Sequence, residues 1–197
     1  LFSSEINDNE LRRTLCPSTG NVEQVWCEVS THQGGDKYLL GCIYRPPLNA
    51  RTSDDKAKHA NIAADINKSI AVAARAVNSG LYKGVCIAGD FNFPDLRWSD
   101  DSVMNRGKHD GLAGAFLDTL DDLSLHQAVR VPTFFSSIGT SSNVLDLIVC
   151  DRPERIDIKS VNSPLGSASQ GHGVIEFSLH LNSWKQRRCF KSSRFRY

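Results

Sequence analysis

GVCIAGDFNFPD, at positions 84–95, begins as an apolar run and ends in a polar turn. A short apolar run closed by Gly89 and Asp90 predicts a strand buried on both faces, as in a parallel or mixed sheet covered by other layers. Functional groups in such sheets gather where the strand ends and the loop begins. The end of this strand is therefore the first place to look for a site.

Asp90 and Asn92 follow the apolar run, two positions apart. Residues i and i+2 of a strand project to the same side, so the two side chains converge if the extended geometry continues through the turn. A carboxylate oxygen and an amide oxygen suit a hard cation such as Mg²⁺, or the edge of a phosphate site. The alternative is a plain turn with Gly89 at its tightest point, and this stretch alone leaves both open.

The composition is that of one globular domain with a basic tail. Of 197 residues, 40% are hydrophobic and 23% charged, and the net charge of +1 does not by itself indicate a nucleic-acid partner. Positions 184–197 hold six basic and no acidic residues. We therefore expect a domain over 1–183 and a basic linker over 184–197. Its aromatic residues allow nucleic-acid binding, but a solvated linker explains the tail equally well.

The cysteines indicate a reducing compartment. None of the six forms a Cys-x-x-Cys pair, and four lie in apolar, strand-like runs, so we expect small buried thiols and not a disulfide framework or a zinc site. No signal peptide or membrane-spanning stretch is evident, so we expect an intracellular protein that is not secreted and has no membrane partner. The four cysteines in apolar, strand-like runs are Cys27, Cys42, Cys86 and Cys150.

Hydrophobic periodicity predicts a mixed α/β arrangement. Positions 22–29 and 38–44 alternate like two strands joined by a turn, and positions 53–77 carry a helical apolar stripe. The strand at 38–44, the helix at 53–77 and the strand at 85–88 form a βαβ-like unit, so the sheet is at least partly parallel. The same patterns predict a loop over 96–108, a helix from a cap at Asp110 to about Leu123, and strands over 144–150, 156–161 and 174–181.

An ordered series of motifs makes the chain resemble the endonuclease/exonuclease/phosphatase family. The greatest likeness is to the apurinic-like endonuclease domain of non-LTR retrotransposons, which precedes a reverse transcriptase. Each motif alone is weakly specific, but the series covers nearly the whole chain. The motifs are EQVWCE at 23–28, GCIYRPP at 41–47, GDFNFP at 89–94, SNVLDLI at 142–148 and HGVI at 172–175.

The resemblance implies two packed mixed β-sheets flanked by helices, a four-layer sandwich, with its first strands missing here. It implies hydrolysis of a phosphodiester with Mg²⁺ (or Mn²⁺) at one end of the sandwich. DNA would be the partner, contacted through Arg45 and the basic tail, and the nucleus the location. A polymerase domain would follow in the full-length ancestor.

The resemblance also implies site roles, and the residue types suit them. Phosphodiester hydrolysis needs a positioned water, a base and positive charge on the phosphate. A carboxylate behind a histidine fixes its tautomer. By resemblance, Asp90 activates water, Asn92 binds phosphate or metal, His172 contacts the scissile phosphate, Asp146 orients His172, and Tyr44 reaches the phosphate or leaving oxygen. The implied metal ligands are Asp90, Asn92 and His172.

Two departures from the family pattern predict impaired activity. The family's N-terminal Asn and Glu motifs have no match before Val22, since Glu5 and Asn7 lie in no suitable strand, so we expect a sequence that starts after both. The closing Ser-Asp-His is replaced by Ser169-Gln170-Gly171-His172, and Gly171 has no side chain to ligate a metal. A site short of carboxylates holds Mg²⁺ weakly.

Three functions remain open from the sequence. The first is a retroelement DNA endonuclease with impaired activity. The second is a non-catalytic remnant that at most binds nucleic acid, which Gly171 favours. The third is a phosphatase of the same fold, for which no pocket-lining pattern is evident.

Overall fold

The computed structural model describes residues 15, 22–31, 35–47, 51–99, 103–105, 111–135, 142–162 and 171–181. Within these ranges the chain is mixed α/β, as expected, with one five-stranded sheet, three smaller sheets and two α-helices. No helix in this part is long and apolar enough to cross a membrane. The strands are β1 Glu23–Ser30, β2 Lys37–Tyr44, β3 Gly84–Asp90, β4 Leu96–Trp98, β5 Val103–Asn105, β6 His126–Gln127, β7 Phe134–Phe135, β8 Ser142–Asn143, β9 Asp146–Cys150, β10 Ile156–Asn162, β11 Gly171–His172 and β12 Val174–Leu179; the helices are α1 Ser53–Asn78 and α2 Leu112–Asp122.

The large sheet has the strand order β1-β2-β3-β9-β6, with β3 in the centre. β1 and β2 form an antiparallel hairpin, β2 and β3 are parallel, and β9 runs antiparallel to β3. Val85, Ile87 and Phe91 are buried within and just after β3. The apolar run thus forms the buried central strand that its sequence predicts.

Helix α1 makes the crossover between the parallel strands β2 and β3. A capping box starts it: the Thr52 hydroxyl accepts from the Asp55 backbone N–H, and the Asp55 carboxylate accepts from the Thr52 backbone N–H. Gly80, with φ +81°, follows the C-terminal end. The predicted βαβ unit is therefore present. The buried face of the helix includes Ile62, Ile66, Ile70 and Ala73.

A second layer of strands covers part of the large sheet. β10 pairs with β12, and a separate small sheet has the strand order β11-β7-β8. Ile158, Ile175 and Phe177 from this layer pack against the same core as the large sheet. The two helices contact each other, and Phe116 of α2 stacks on Phe93 with ring centroids 4.8 Å apart. The core therefore lies between strands and helices, with the β3 turn at its edge.

Two details of the secondary structure differ from the sequence prediction. Within positions 96–108, which were predicted to be a loop, the described residues form the antiparallel strands β4 and β5, and Leu96 of β4 is buried. Strands of three residues are too short to show alternation. Helix α2 has Gly111 at its N-cap, with φ +66° and no side-chain capping bond, so Asp110 is not the cap.

The expectation of buried thiols holds for only half of the strand cysteines. Cys86 and Cys150 are buried, whereas Cys27 and Cys42 are exposed. Cys27 and Cys42 lie on the face of β1 and β2 that the second strand layer leaves uncovered, where Val25 is 70% exposed. Apolar composition alone does not show which part of a sheet face will be covered.

Candidate functional site

Asp90 and Asp146 lie directly opposite each other at the ends of β3 and β9. The Phe91 N–H donates to the Leu145 carbonyl at 2.9 Å, so the neighbouring pair is hydrogen-bonded and the Asp90–Asp146 pair is not. Non-hydrogen-bonded pairs bring side chains closest together on one face. Tyr44, 38% exposed, is aligned with Asp90 in the parallel ladder. Three strand ends therefore converge.

His172 completes the cluster from the neighbouring sheet. Its Nδ1 lies 2.9 Å from Asp146 Oδ2 and 3.1 Å from Oδ1, and its Nε2 lies 3.6 Å from Asp90 Oδ2. Phe134, its partner in the β11–β7 ladder, meets the imidazole edge-on at a centroid distance of 5.1 Å. The ring is thereby held between two carboxylates.

The turn after β3 fixes the Asp90 carboxylate. Asn92 has φ +47°, a left-handed conformation that asparagine tolerates. Its backbone N–H donates to Asp90 Oδ1 at 3.1 Å, and its side-chain Nδ2 donates to Asp90 Oδ2 and to the Arg45 carbonyl, both at 2.8 Å. Asn92 thus holds Asp90 in place. Its role as a phosphate or metal ligand stays a prediction.

Arg45 is not available to contact DNA. Its side chain is buried, and Nη1 donates to the Asn92 carbonyl at 2.7 Å, with the guanidinium 4.2 Å from the centre of the Phe93 ring. The Arg45 backbone N–H donates to the Asp90 carbonyl at 2.8 Å. Because β2 and β3 are parallel, the residue after Tyr44 enters the core beneath the Asp90 turn. Arg45 therefore supports that turn from inside.

Burial raises the pKa of Asp90 from its ordinary value of 3.8 to about 6. The positive charge available on His172 opposes this shift, the Asp146 carboxylate adds to it, and the hydrogen bonds from Asn92 oppose it. The pair Asp90–Asp146 is therefore a site where a positive charge is favourable.

Asp90, Asp146 and His172 could hold a metal ion, because their ligand atoms all lie within 4.8 Å of one another. Carboxylate oxygens suit Mg²⁺ or Mn²⁺, and an imidazole suits transition metals better. Gly171 adds no ligand, and its φ of +122° is a conformation that other residues rarely adopt. The residues fit a weakly held divalent cation.

Thr133 is a supporting residue that the sequence patterns did not identify. Its buried hydroxyl accepts from the backbone N–H groups of Leu145 at 3.0 Å and Asp146 at 2.9 Å. Its carbonyl accepts from the Gly173 N–H at 2.6 Å. Thr133 therefore ties the start of β9 to the residue after His172. The available signal was a lone hydroxyl in the largely apolar stretch before Phe134.

Thr133→Val should destabilise the protein by about 2 kcal/mol, because it keeps the shape but leaves two buried N–H groups without their acceptor. Thr133→Ser retains the acceptor oxygen and should destabilise the protein less than Thr133→Val does. Urea unfolding measures both, and the NMR shifts of the His172 ring report whether its contact with Asp146 survives. Equal unfolding midpoints for the two variants would show that the hydroxyl has no such role.

Several sequence predictions lie outside the described residues. Among them are the proposed basic linker at 184–197 and the divergent motif residues Ser169 and Gln170. Glu5 and Asn7 lie outside them as well.

No protein-family model and no curated protein matches the chain. Among solved structures, it is similar to the endonuclease domain of TRAS1, a telomere-specific non-LTR retrotransposon, with 17% identity, a TM-score of 0.48, and coverage of 84% of this chain and 72% of that one. The Xenopus laevis APE2 catalytic domain has 15% identity, a TM-score of 0.49 and coverage of 89% and 61%. The human Nocturnin catalytic domain has 14% identity, a TM-score of 0.44 and coverage of 81% and 54%, so the chain spans little more than half of that domain. At these identities and TM-scores the similarities assign neither a family nor an activity to this chain.

Proposed function

We propose that this chain is a divalent-metal-dependent phosphodiesterase domain of the endonuclease type, acting slowly on DNA. The observation that supports it most is His172 held between the carboxylates of Asp90 and Asp146, at the point where three strands end. The resemblance of the motif order to that of retrotransposon endonucleases also supports the proposal. The absence of a carboxylate at Gly171 is the reason we propose a low rate.

Asp90 is the base in this proposal. In the metal-free protein its pKa of about 6 makes it more basic than an ordinary carboxylate. The hydrogen bonds from Asn92 fix both its oxygens, so it can accept a proton from an attacking water without reorienting. A divalent cation held by the carboxylates of Asp90 and Asp146 would supply positive charge to the phosphate oxygens.

In this proposal His172 contacts the phosphate, and Asp146 fixes the position of the His172 ring. The short contact between Nδ1 and Asp146 fixes the orientation of the ring and leaves Nε2 toward Asp90 and the site. An N–H at Nε2 can donate to a phosphate oxygen as negative charge develops there. In this proposal Tyr44, exposed at the end of β2, contacts the phosphate or the leaving oxygen.

Arg97 and Arg130 replace Arg45 as the proposed cations facing DNA. Arg97 donates to the Asn143 side chain, and Asn143 pairs with Phe134, which contacts His172. Arg130 lies over Trp98, the residue after Arg97, at 5.7 Å from its ring. Cations one step away from the site can neutralise neighbouring phosphates.

Nicking of a supercoiled plasmid with Mg²⁺ or Mn²⁺ tests the proposal. We expect slow nicking by the chain, abolished by chelation and lowered by a factor of about 100 or more in Asp90→Ala, as for loss of a general base. Nicking that Asp90→Ala leaves intact would come from a contaminant or another site. No nicking by the folded chain in either metal would favour the non-catalytic, nucleic-acid-binding alternative.

Gly171→Asp tests whether the missing carboxylate limits the rate. An added Cβ meets nothing within 4 Å, so there is room, but the φ of +122° strains any side chain. Gly171→Asn carries the same strain without the charge and is the matched control. We expect Gly171→Asp to nick about tenfold faster than Gly171→Asn at limiting metal. Equal rates would show that position 171 does not reach the metal.

A further inference from the structure

Cys86 and Cys150 face each other across β3 and β9. The Asp151 N–H donates to the Val85 carbonyl at 3.4 Å, and this alternation of bonded pairs makes Cys86–Cys150 a non-hydrogen-bonded pair. Such pairs have a Cα spacing of about 4.5 Å, within the range of about 4.4–6.8 Å that a disulfide spans. Both side chains also lie on the face that carries Asp90.

The two thiols share one small, partly open pocket. Cys86 is 5% exposed and Cys150 1%, and the pocket lining also includes Tyr38, Arg155 and Leu179. Burial raises the pKa of Cys86 to about 11 and that of Cys150 to about 12, and the proximity of Cys86 contributes to the latter shift. Both thiols therefore stay protonated at neutral pH and react slowly, but their nearest reactive partner is each other.

We propose that Cys86 and Cys150 form a dithiol modification site that closes to a disulfide between β3 and β9. With a peroxide as oxidant, one sulfur attacks a peroxide oxygen and becomes a sulfenic acid, releasing water. The second sulfur then attacks the first and displaces a second water. Over both steps two S–H bonds and one O–O bond break, one S–S bond and two O–H bonds form, and the peroxide is reduced to two waters.

The crosslink would join the two strands that end in the acidic pair. Cys86 precedes Asp90 on β3, and Cys150 follows Asp146 on β9, so the covalent bond lies on the same ladder as the site. It would also close a long loop in the unfolded chain, which stabilises the folded state. The inference does not depend on the proposed function, since neither thiol belongs to the site.

The exposed pair Cys27 and Cys42 is a matched contrast on the neighbouring hairpin. Cys27 is paired with Leu40, and Cys42 with Val25, so these two cysteines are offset and not opposed. They are more accessible, yet their register does not place the two sulfurs face to face. Strand geometry therefore predicts a disulfide between Cys86 and Cys150, whereas accessibility alone would predict oxidation of Cys27 and Cys42.

The test uses the full chain with Cys16, Cys27, Cys42 and Cys189 changed to Ser. After treatment with hydrogen peroxide under native conditions, we expect both remaining thiols to disappear together and the monomer to lose two hydrogens in mass. Dithiothreitol should restore both thiols, and the oxidised form should unfold at higher urea than the reduced form. Peptide mapping of the oxidised wild type serves if this variant does not fold.

A further Cys86→Ser change in the same background is the control and should give only a sulfenic acid or higher oxides at Cys150. Independent oxidation of the two thiols, or thiols that stay free until the protein is unfolded, would overturn the proposal. So would a peptide map of the wild type that joins Cys27 to Cys42 and leaves Cys86 unlinked.

Discussion

Gly89→Ala is expected to destabilise the protein by about 3 kcal/mol or more and to disorganise the Asp90 turn. Gly89 has φ +154°, and an added Cβ would lie 1.9 Å from the Ile43 carbonyl oxygen. Ile43 is fully buried on β2, so its backbone has no room to withdraw. Urea unfolding monitored by circular dichroism measures the loss.

Gly80→Ala is the matched control for that substitution. Gly80 also has a positive φ, +81°, but a Cβ there would meet nothing within 4 Å. Gly80→Ala should lower the free energy of unfolding by about 1 kcal/mol, the strain of a side chain on a left-handed backbone. The difference between the two variants isolates the steric contact with Ile43. Equal losses would mean that β2 and β3 are not as close at Gly89 as the ladder requires.

The strand, the turn and the crossover helix were predictable because their signals are local. The apolar run of β3 has a fixed period and ends in residues with clear turn preferences, and α1 has both a capping box and an apolar stripe. Asp90, Asp146 and His172 were placed in one site by motif order. Their distances depend on strand register, which one sequence does not specify.

The sequence did not predict which polar residues are buried. Arg45 carries a charge and follows an exposed Tyr44, so a surface role was a natural expectation, but the parallel pairing of β2 with β3 directs it inward. Thr133 is unremarkable in sequence and becomes important only because β9 begins beside it. Both depend on contacts between segments far apart in the chain.

Asp90→Asn should abolish nicking and yet stabilise the metal-free protein at neutral pH by about 1 kcal/mol, after allowance for solvent screening. Ionised Asp90 is unfavourable because it is largely buried and faces Asp146. Asparagine removes the charge and keeps one acceptor oxygen for Asn92. Asp95→Asn, at an exposed position on the next loop, is the control and should change the unfolding free energy little.

The pH dependence of stability tests independently whether ionised Asp90 destabilises the folded protein. The pKa of Asp90 is about 6 in the folded state and near 3.8 when unfolded, so between these values the folded wild type binds more protons. Wild-type stability should therefore fall relative to Asp90→Asn as pH rises from about 4 to about 6, and the difference should be constant above that window. Urea unfolding of both proteins across this range measures it.

Adding metal should narrow or reverse the difference in stability between these two proteins. A cation that binds the folded wild type through Asp90 stabilises it in proportion to the logarithm of metal concentration, and Asp90→Asn should gain much less. Saturating Mn²⁺ at pH 7 should therefore narrow or invert the difference seen without metal. If both proteins respond equally, Asp90 does not bind the ion, and loss of nicking in Asp90→Asn would then reflect the missing base alone.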